Sequence, residues 1–204
     1  MRRKPDPAQR RCDITDAAIV LLAQDGVKGL SHLKVDREAN LPDGTSSVYY
    51  RTRAALLHAA AERVVELDLH ALRNVVDTAV EGYESAPSPL AQAILRVTTE
   101  PHLTRTKARF ELSMQAGRDP ELERVLRPGR LAFNQLLHAA VAHYAPANSE
   151  PNAAVRGELR DAASTYISGL LLQIVQGARD IDPLSVDSHL RALSAGLFLQ
   201  QPDG

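Results

Sequence analysis

The sequence has little of what most enzymes, secreted proteins and membrane proteins need. One cysteine, Cys12, stands in 204 residues, so no disulfide can form within the chain, as in proteins of a reducing compartment. With one thiol and no partner, a redox switch at Cys12 would need a depressed pKa. Aromatic residues make up 4%, which argues against a large planar ligand held by stacking. No apolar run approaches the ~20 residues of a membrane span. The basic start Met1-Arg2-Arg3-Lys4 leads into no apolar stretch of the kind a secretory signal carries. A soluble cytoplasmic protein with no membrane partner is the expectation. Gly-x-Ser-x-Gly, P-loop and Gly-x-Gly-x-x-Gly patterns are all missing. The seven histidines are scattered: His138 and His143 miss the i, i+4 spacing of a helical metal pair, and Glu66 with His70 reads as a solvated pair. Glu62 and Glu66 share a helix face and read as surface charge. The chain is therefore expected not to be an enzyme and to hold no catalytic residue, cofactor or metal.

What is there is helical periodicity. The net charge is −1, but it divides: residues 1–65 carry 11 Lys/Arg and 8 Asp/Glu, residues 66–204 carry 13 and 17. Strand patterns are nearly absent, while apolar residues recur at the helical period. Ile14, Ala17, Ala18, Leu21 and Leu22 form one stripe on a helix over about 7–25, ended by Gly26. Ser31 caps a second helix to about 39, and a third spans about 43–50. Leu56, Leu57, Ala60, Val64, Leu67, Ala71 and Val75 mark a long fourth helix over about 53–81. Breaks at Gly82, Pro87, Pro89, Pro101, Pro146, Pro151 and Pro183 separate further helices at about 90–99, 105–116, 120–144, 153–178 and 186–199. Pro128 predicts a kink or split in the seventh. The fold class is all-α, with about nine helices.

The most informative stretch runs from Val35 to Tyr50. It reads as a helix-turn-helix, whose second helix enters the DNA major groove. Asn40 supplies the positive φ where helix two ends, a conformation asparagine tolerates better than most residues. Leu41 fills the wedge between the helices and Pro42 stops the first of them. Asp43 caps helix three or accepts from a cytosine amino group. Gly44, Thr45, Ser46 and Ser47 are small enough for close approach to the groove, and Arg51 and Arg53 follow for backbone contacts.

From about residue 10 to 69, the chain resembles the DNA-binding domain of TetR-type (TetR/AcrR) transcriptional regulators. The resemblance is carried by Ala17-Ala18, Leu21-Leu22, Gly26, Gly29-Leu30-Ser31, Val35, Glu38-Ala39-Asn40-Leu41, Gly44-Thr45, Tyr49-Tyr50 and Arg53-Ala54-Ala55-Leu56-Leu57, in order and without a gap. It implies a helix-turn-helix DNA-binding domain over 1–52, extending into the start of helix four. It also implies a helical effector-binding and dimerisation domain over 53–204. By position, Tyr49 resembles a phosphate-contacting aromatic, Arg53 the phosphate-contacting lysine, and His32 a phosphate contact near the start of helix two. Thr45, Ser47 and Val48 resemble groove-facing residues, and Tyr50 the core aromatic. Four positions depart from the pattern: Asn40 replaces the usual Gly, Asp36 a small Ala, Ser46 a Leu and Ser47 a Tyr. Asp36 and Ser46 fall where the family packs helix two on helix three, which suggests Val48 and Tyr50 as wedges and a His32–Asp36 polar pair instead.

Helix eight is apolar on more than one face through Ala162, Ala163, Tyr166, Ile167, Gly169, Leu170, Leu171, Leu172, Ile174 and Val175, and such a helix is buried on two sides. Leu190, Leu193, Leu197 and Phe198 give helix nine its own stripe, so a homodimer through the last two helices is expected. Phe110, Met114, Phe133, His138 and Tyr166 are the candidates for lining a cavity that takes an unknown small-molecule effector. Arg105, Lys107 and Arg109 read as a solvated face. The reading is a homodimeric repressor of double-stranded palindromic operator DNA, released by its ligand. The alternatives are an all-α small-molecule-binding protein and a protein-interaction adaptor, neither binding DNA.

Overall fold

The computed structural model describes residues 6–80, 87–144, 153–177 and 182–199. The sequence features at Arg2, Arg3, Lys4, Glu81, Gly82, Pro146, Pro151 and Ala178 lie outside them. Among the described residues there are nine helices: α1 (Pro7–Gly29), α2 (His32–Glu38), α3 (Thr45–Tyr49), α4 (Arg53–Val80), α5 (Pro89–Arg96), α6 (His102–Ala116), α7 (Pro120–Ala142), α8 (Ala153–Val175) and α9 (Pro183–Leu199). No described helix is long and apolar enough to cross a membrane.

The helix starts follow local chemistry. Asp6, Ser31, Ser88, Asp119 and Asp182 each accept a backbone N–H from the first turn of the helix they precede, which satisfies donors the helix itself leaves unpaired. Gly26 breaks α1 with φ 66° and ψ −175°, and one further turn comes after it. At Pro128 the helix continues without the expected split.

By packing, the chain forms two units. The first comprises Met1–Leu67 with Glu100–Arg130, the second Asp68–Thr99 with Leu131–Gly204. The sequence places a division at 52/53; in packing, α6 and the first half of α7 belong with the N-terminal helices. The core of the first unit gathers Ile14, Ala18 and Leu22 from α1, Val35 from α2, Leu56, Ala60 and Val64 from α4, Leu112 from α6 and Leu122 from α7. Gly129 lets α7 meet α4: a Cβ there would stand 2.2 Å from Val65 Cγ1. Arg63 on α4 donates to Asp16 on α1 at 2.9 Å and to Glu66 at 2.9 Å, and these bonds, Asp16 first, hold its pKa further up. Glu111 of α6 accepts from the Val27 N–H at 2.9 Å, giving the amide beyond the Gly26 break an acceptor that α1 cannot supply.

In the second unit a buried polar cluster ties α5, α7 and α9. Asp187 on α9 accepts from the Ser88 N–H at 2.7 Å, the Ser88 hydroxyl at 2.6 Å and the Tyr144 hydroxyl at 2.6 Å. Burial, and then the bond to Asp187, push the Tyr144 phenol well up, so it stays a donor. The Arg191 guanidinium lies 5.7 Å from the centre of the Tyr144 ring.

Candidate nucleic-acid interface

α2 ends in a left-handed residue. Asn40 has φ 53°, and Leu41 N–H reaches back to the Asp36 carbonyl at 2.7 Å, the six-to-one closure that such a residue permits. The Leu41 side chain packs partly buried against the core. Pro42 then stands at the start of the turn, its carbonyl accepting from Thr45 N–H at 3.1 Å.

Asp36 governs how α3 begins. It is 0% exposed, and its two carboxylate oxygens accept from Gly44 N–H at 2.7 Å and Ser46 N–H at 2.7 Å. The residue that caps α3 thus comes from α2, across the turn. A negative charge at a helix N-terminus is favourable, and two charge-assisted bonds offset its burial. Ser46 is also 0% exposed and donates its hydroxyl to the His32 carbonyl at 3.2 Å. Together Asp36 and Ser46 replace apolar packing between α2 and α3 with a satisfied polar lock.

Three expectations are corrected here. The His32–Asp36 pair does not form. His32 Nε2 lies 2.6 Å from the Tyr50 carbonyl, so that nitrogen carries the proton and donates. Val48 is no wedge; it is 78% exposed. Asp43 does not cap α3; it pairs across the surface with Arg37 at 3.6 Å. Gly44 matters for its backbone more than for its size. Its φ of 93° is left-handed, and a Cβ there meets nothing within 4 Å. Gly44→Ala should therefore cost about 1 kcal/mol through backbone strain alone, read as a shift in the urea midpoint with an unchanged slope.

The exposed side of α3 presents Ser47 and Val48, with Thr45 and Tyr49 half-buried and Arg51 exposed beyond the helix. Tyr49 and Tyr50 both pack against the core, and the Arg11 guanidinium lies 5.4 Å and 6.0 Å from their ring centres. Arg53 donates through Nε to the Leu30 carbonyl at 2.8 Å and through Nη2 to the Val27 carbonyl. It braces the loop between α1 and α2, although a guanidinium has more donors than these two carbonyls take. Lys34 is paired with Asp25 at 2.7 Å, so α2 adds little unpaired positive charge.

The five effector candidates are divided between the units. Phe110 and Met114 belong to the first; Phe133, His138 and Tyr166 belong to the second. Met114 is 66% exposed on α6. Phe110 lies with the Arg109 guanidinium 5.7 Å from its ring centre. Phe133 and His138 are half-buried on α7. Tyr166 shares a 2.9 Å hydrogen bond with His189 Nδ1, the rings meeting edge to face at 5.6 Å. Among the described residues no three His, Cys, Asp or Glu side chains converge as a metal site requires.

An all-α chain with a polar-locked helix-turn-helix in its first unit defines a helix-turn-helix protein with a helical C-terminal part. The family model of the tetracyclin repressor-like C-terminal domain matches residues 84–199. The chain therefore belongs to the tetracyclin repressor-like (TetR) family of transcriptional regulators. Solved structures agree over nearly the whole length. A TetR-family member from Streptomyces coelicolor A3 superposes with TM-score 0.67 at 26% identity, over 91% of this chain and 98% of that one. A candidate transcriptional regulator from Pseudomonas aeruginosa PAO1 gives 0.72 at 19% identity, over 97% and 94%, and shows the shared fold. The multidrug binding protein EbrR complexed with imidazole gives 0.60 at 26% identity, over 93% and 96%; EbrR has also been solved with proflavin, ethidium and malachite green. The chain length determinant protein of Escherichia coli is 33% identical over 89 residues, 44% of this chain and 26% of that protein. The chain spans about a quarter of that relative's length, and no function follows from the match.

Proposed function

We propose that the chain is a cytoplasmic, homodimeric transcriptional repressor that binds palindromic operator DNA through α3 of each copy and is released by a small-molecule effector. The observation that carries this reading is the helix-turn-helix itself. A buried carboxylate and a buried hydroxyl fix α3 against α2, while Ser47, Val48 and Arg51 stand exposed. Gly44, Thr45, Ser47, Val48 and Tyr49 face the groove and its rim, and Arg51 takes phosphate. His32 and Arg53 contribute at the backbone with what their internal bonds leave. His32 Nε2–H is engaged with the Tyr50 carbonyl, so a phosphate contact falls to Nδ1, which has a proton to give only as imidazolium.

The dimer has support in the second unit. The side of α8 bearing Val155, Leu159, Ala163, Ile167, Leu170 and Leu171 is buried within the chain, whereas Thr165, Gly169 and Leu172 on another side are exposed. On α9, Ala192, Ala195, Gly196 and Leu199 are exposed too. Small residues let helices of two copies approach closely, and a two-fold dimer presents two recognition helices to a palindrome. EbrR's bound organic molecules support an effector of that kind, with Phe133, His138 and Tyr166 of the second unit as the side chains proposed to meet it.

The test is a mobility shift on duplexes enriched from a random pool at low salt. Binding is expected to fall steeply with salt as counterions return to the phosphates. Arg51→Ala should weaken binding to all duplexes alike and lower the salt slope by about one per copy. A folded dimer that shifts no duplex at low salt contradicts the reading.

A further inference from the structure

Resting on that reading, we propose that the chain recognises its operator chiefly through thymine methyl groups, with Val48 seated on a thymine in each half-site. α3 consists of Thr45, Ser46, Ser47, Val48 and Tyr49. It holds no Arg or Lys for guanine and no Asn or Gln for adenine, so α3 itself makes no bidentate base contact.

The serine and threonine hydroxyl protons on this helix are committed as well. Thr45 Oγ1 donates to the Pro42 carbonyl at 2.6 Å, Ser47 Oγ to the Gly44 carbonyl at 2.7 Å, and Ser46 Oγ to the His32 carbonyl at 3.2 Å. What Thr45 and Ser47 can still offer a base edge is lone pairs, which suit the amino groups of cytosine or adenine.

The side chain that α3 holds furthest into solvent as an apolar group is the Val48 isopropyl. It is far more exposed than Leu33, the other large apolar side chain exposed on α1 to α3. A β-branched residue exposed on a five-residue helix adds nothing to helix propensity or to the core. In the major groove the apolar feature of the base edges is the thymine C5 methyl. The surroundings fit duplex DNA in charge: Arg51 is exposed just beyond the helix, and Arg11 reaches over Tyr49 and Tyr50.

The experiment uses the full chain and a duplex enriched from a random pool, resynthesised with deoxyuridine in place of each thymine in turn. That change removes one methyl and leaves every hydrogen-bonding group in place. For the wild type, one symmetric thymine position should stand out, with affinity falling about fourfold per half-site and roughly fifteen-fold when both are replaced, as expected for one buried methyl each. Val48→Ala should bind the thymine duplex correspondingly weakly and show no further loss on the deoxyuridine duplex. Val48→Ile, which keeps a branched apolar side chain at the same place, should stay sensitive to deoxyuridine. A wild type indifferent to deoxyuridine everywhere, or a Val48→Ala variant as sensitive as the wild type, overturns the proposal and leaves the repressor reading intact. A pool that yields no duplex overturns the repressor reading itself, and this proposal with it.

Discussion

Replacing Asp36 by alanine is expected to destabilise the first unit by roughly 3–5 kcal/mol and to abolish operator binding at concentrations where the wild type is saturated. The carboxylate is fully buried and accepts from the amides of Gly44 and Ser46. Hydrogen bonds to a charged group are worth about 1.5–3 kcal/mol each, and losing the acceptor leaves the Ser46 N–H buried and unsatisfied. Against a total stability of ~5–15 kcal/mol, this is a large fraction. Asp36→Asn keeps the shape and one acceptor oxygen but turns an NH2 toward the other amide, so about half the cost should remain. Urea unfolding reads both. The double variant Asp36→Ala with Ser46→Leu, the apolar pair expected from the family resemblance, should recover much of the loss. A double-mutant cycle with no coupling between the two positions contradicts the polar-lock account.

The second large effect is expected at Asp187. It joins α5 to α9 through both the backbone and the side chain of Ser88, and α7 to α9 through the Tyr144 hydroxyl. Alanine there removes three bonds to a buried carboxylate, and roughly 3 kcal/mol should be lost. Tyr144→Phe removes the hydroxyl's contacts with Asp187 and Ser88 while Ser88 still reaches Asp187, so about 1–2 kcal/mol is expected. The two changes should be strongly non-additive, since one deletes the partner of the other. Because these residues lie in the second unit, a dimer through α8 and α9 should dissociate at higher protein concentration in Asp187→Ala, which sedimentation equilibrium measures.

The helices were legible in the sequence because their signals are local. Apolar periodicity marks the longer helices, Ser31 marks the start of α2, and Asn40 announces the positive φ that ends α2. The exposed residues of α3 were also identifiable, because a helix after a tight turn has few other faces to show. Asp36 and Ser46 were not interpretable, although their oddity was visible. A carboxylate that caps the next helix does so by reaching across space, and no spacing rule distinguishes that from a pair along its own helix. His32 and Arg53 illustrate the same point, since both are bonded to backbone carbonyls of neighbouring segments. The Ser88–Tyr144–Asp187 cluster joins residues 43 to 99 positions apart, beyond any local pattern.

The most direct test of the central claim is a hydroxyl-radical footprint of the wild-type protein on its enriched duplex. Two protected patches are predicted on one face of the DNA, related by two-fold symmetry and centred about one helical turn apart, ~34–36 Å, or a multiple of it. Val48→Ala should weaken both patches equally. A single asymmetric patch, or uniform protection at low salt with no preferred site, would contradict a symmetric pair of α3 recognition helices.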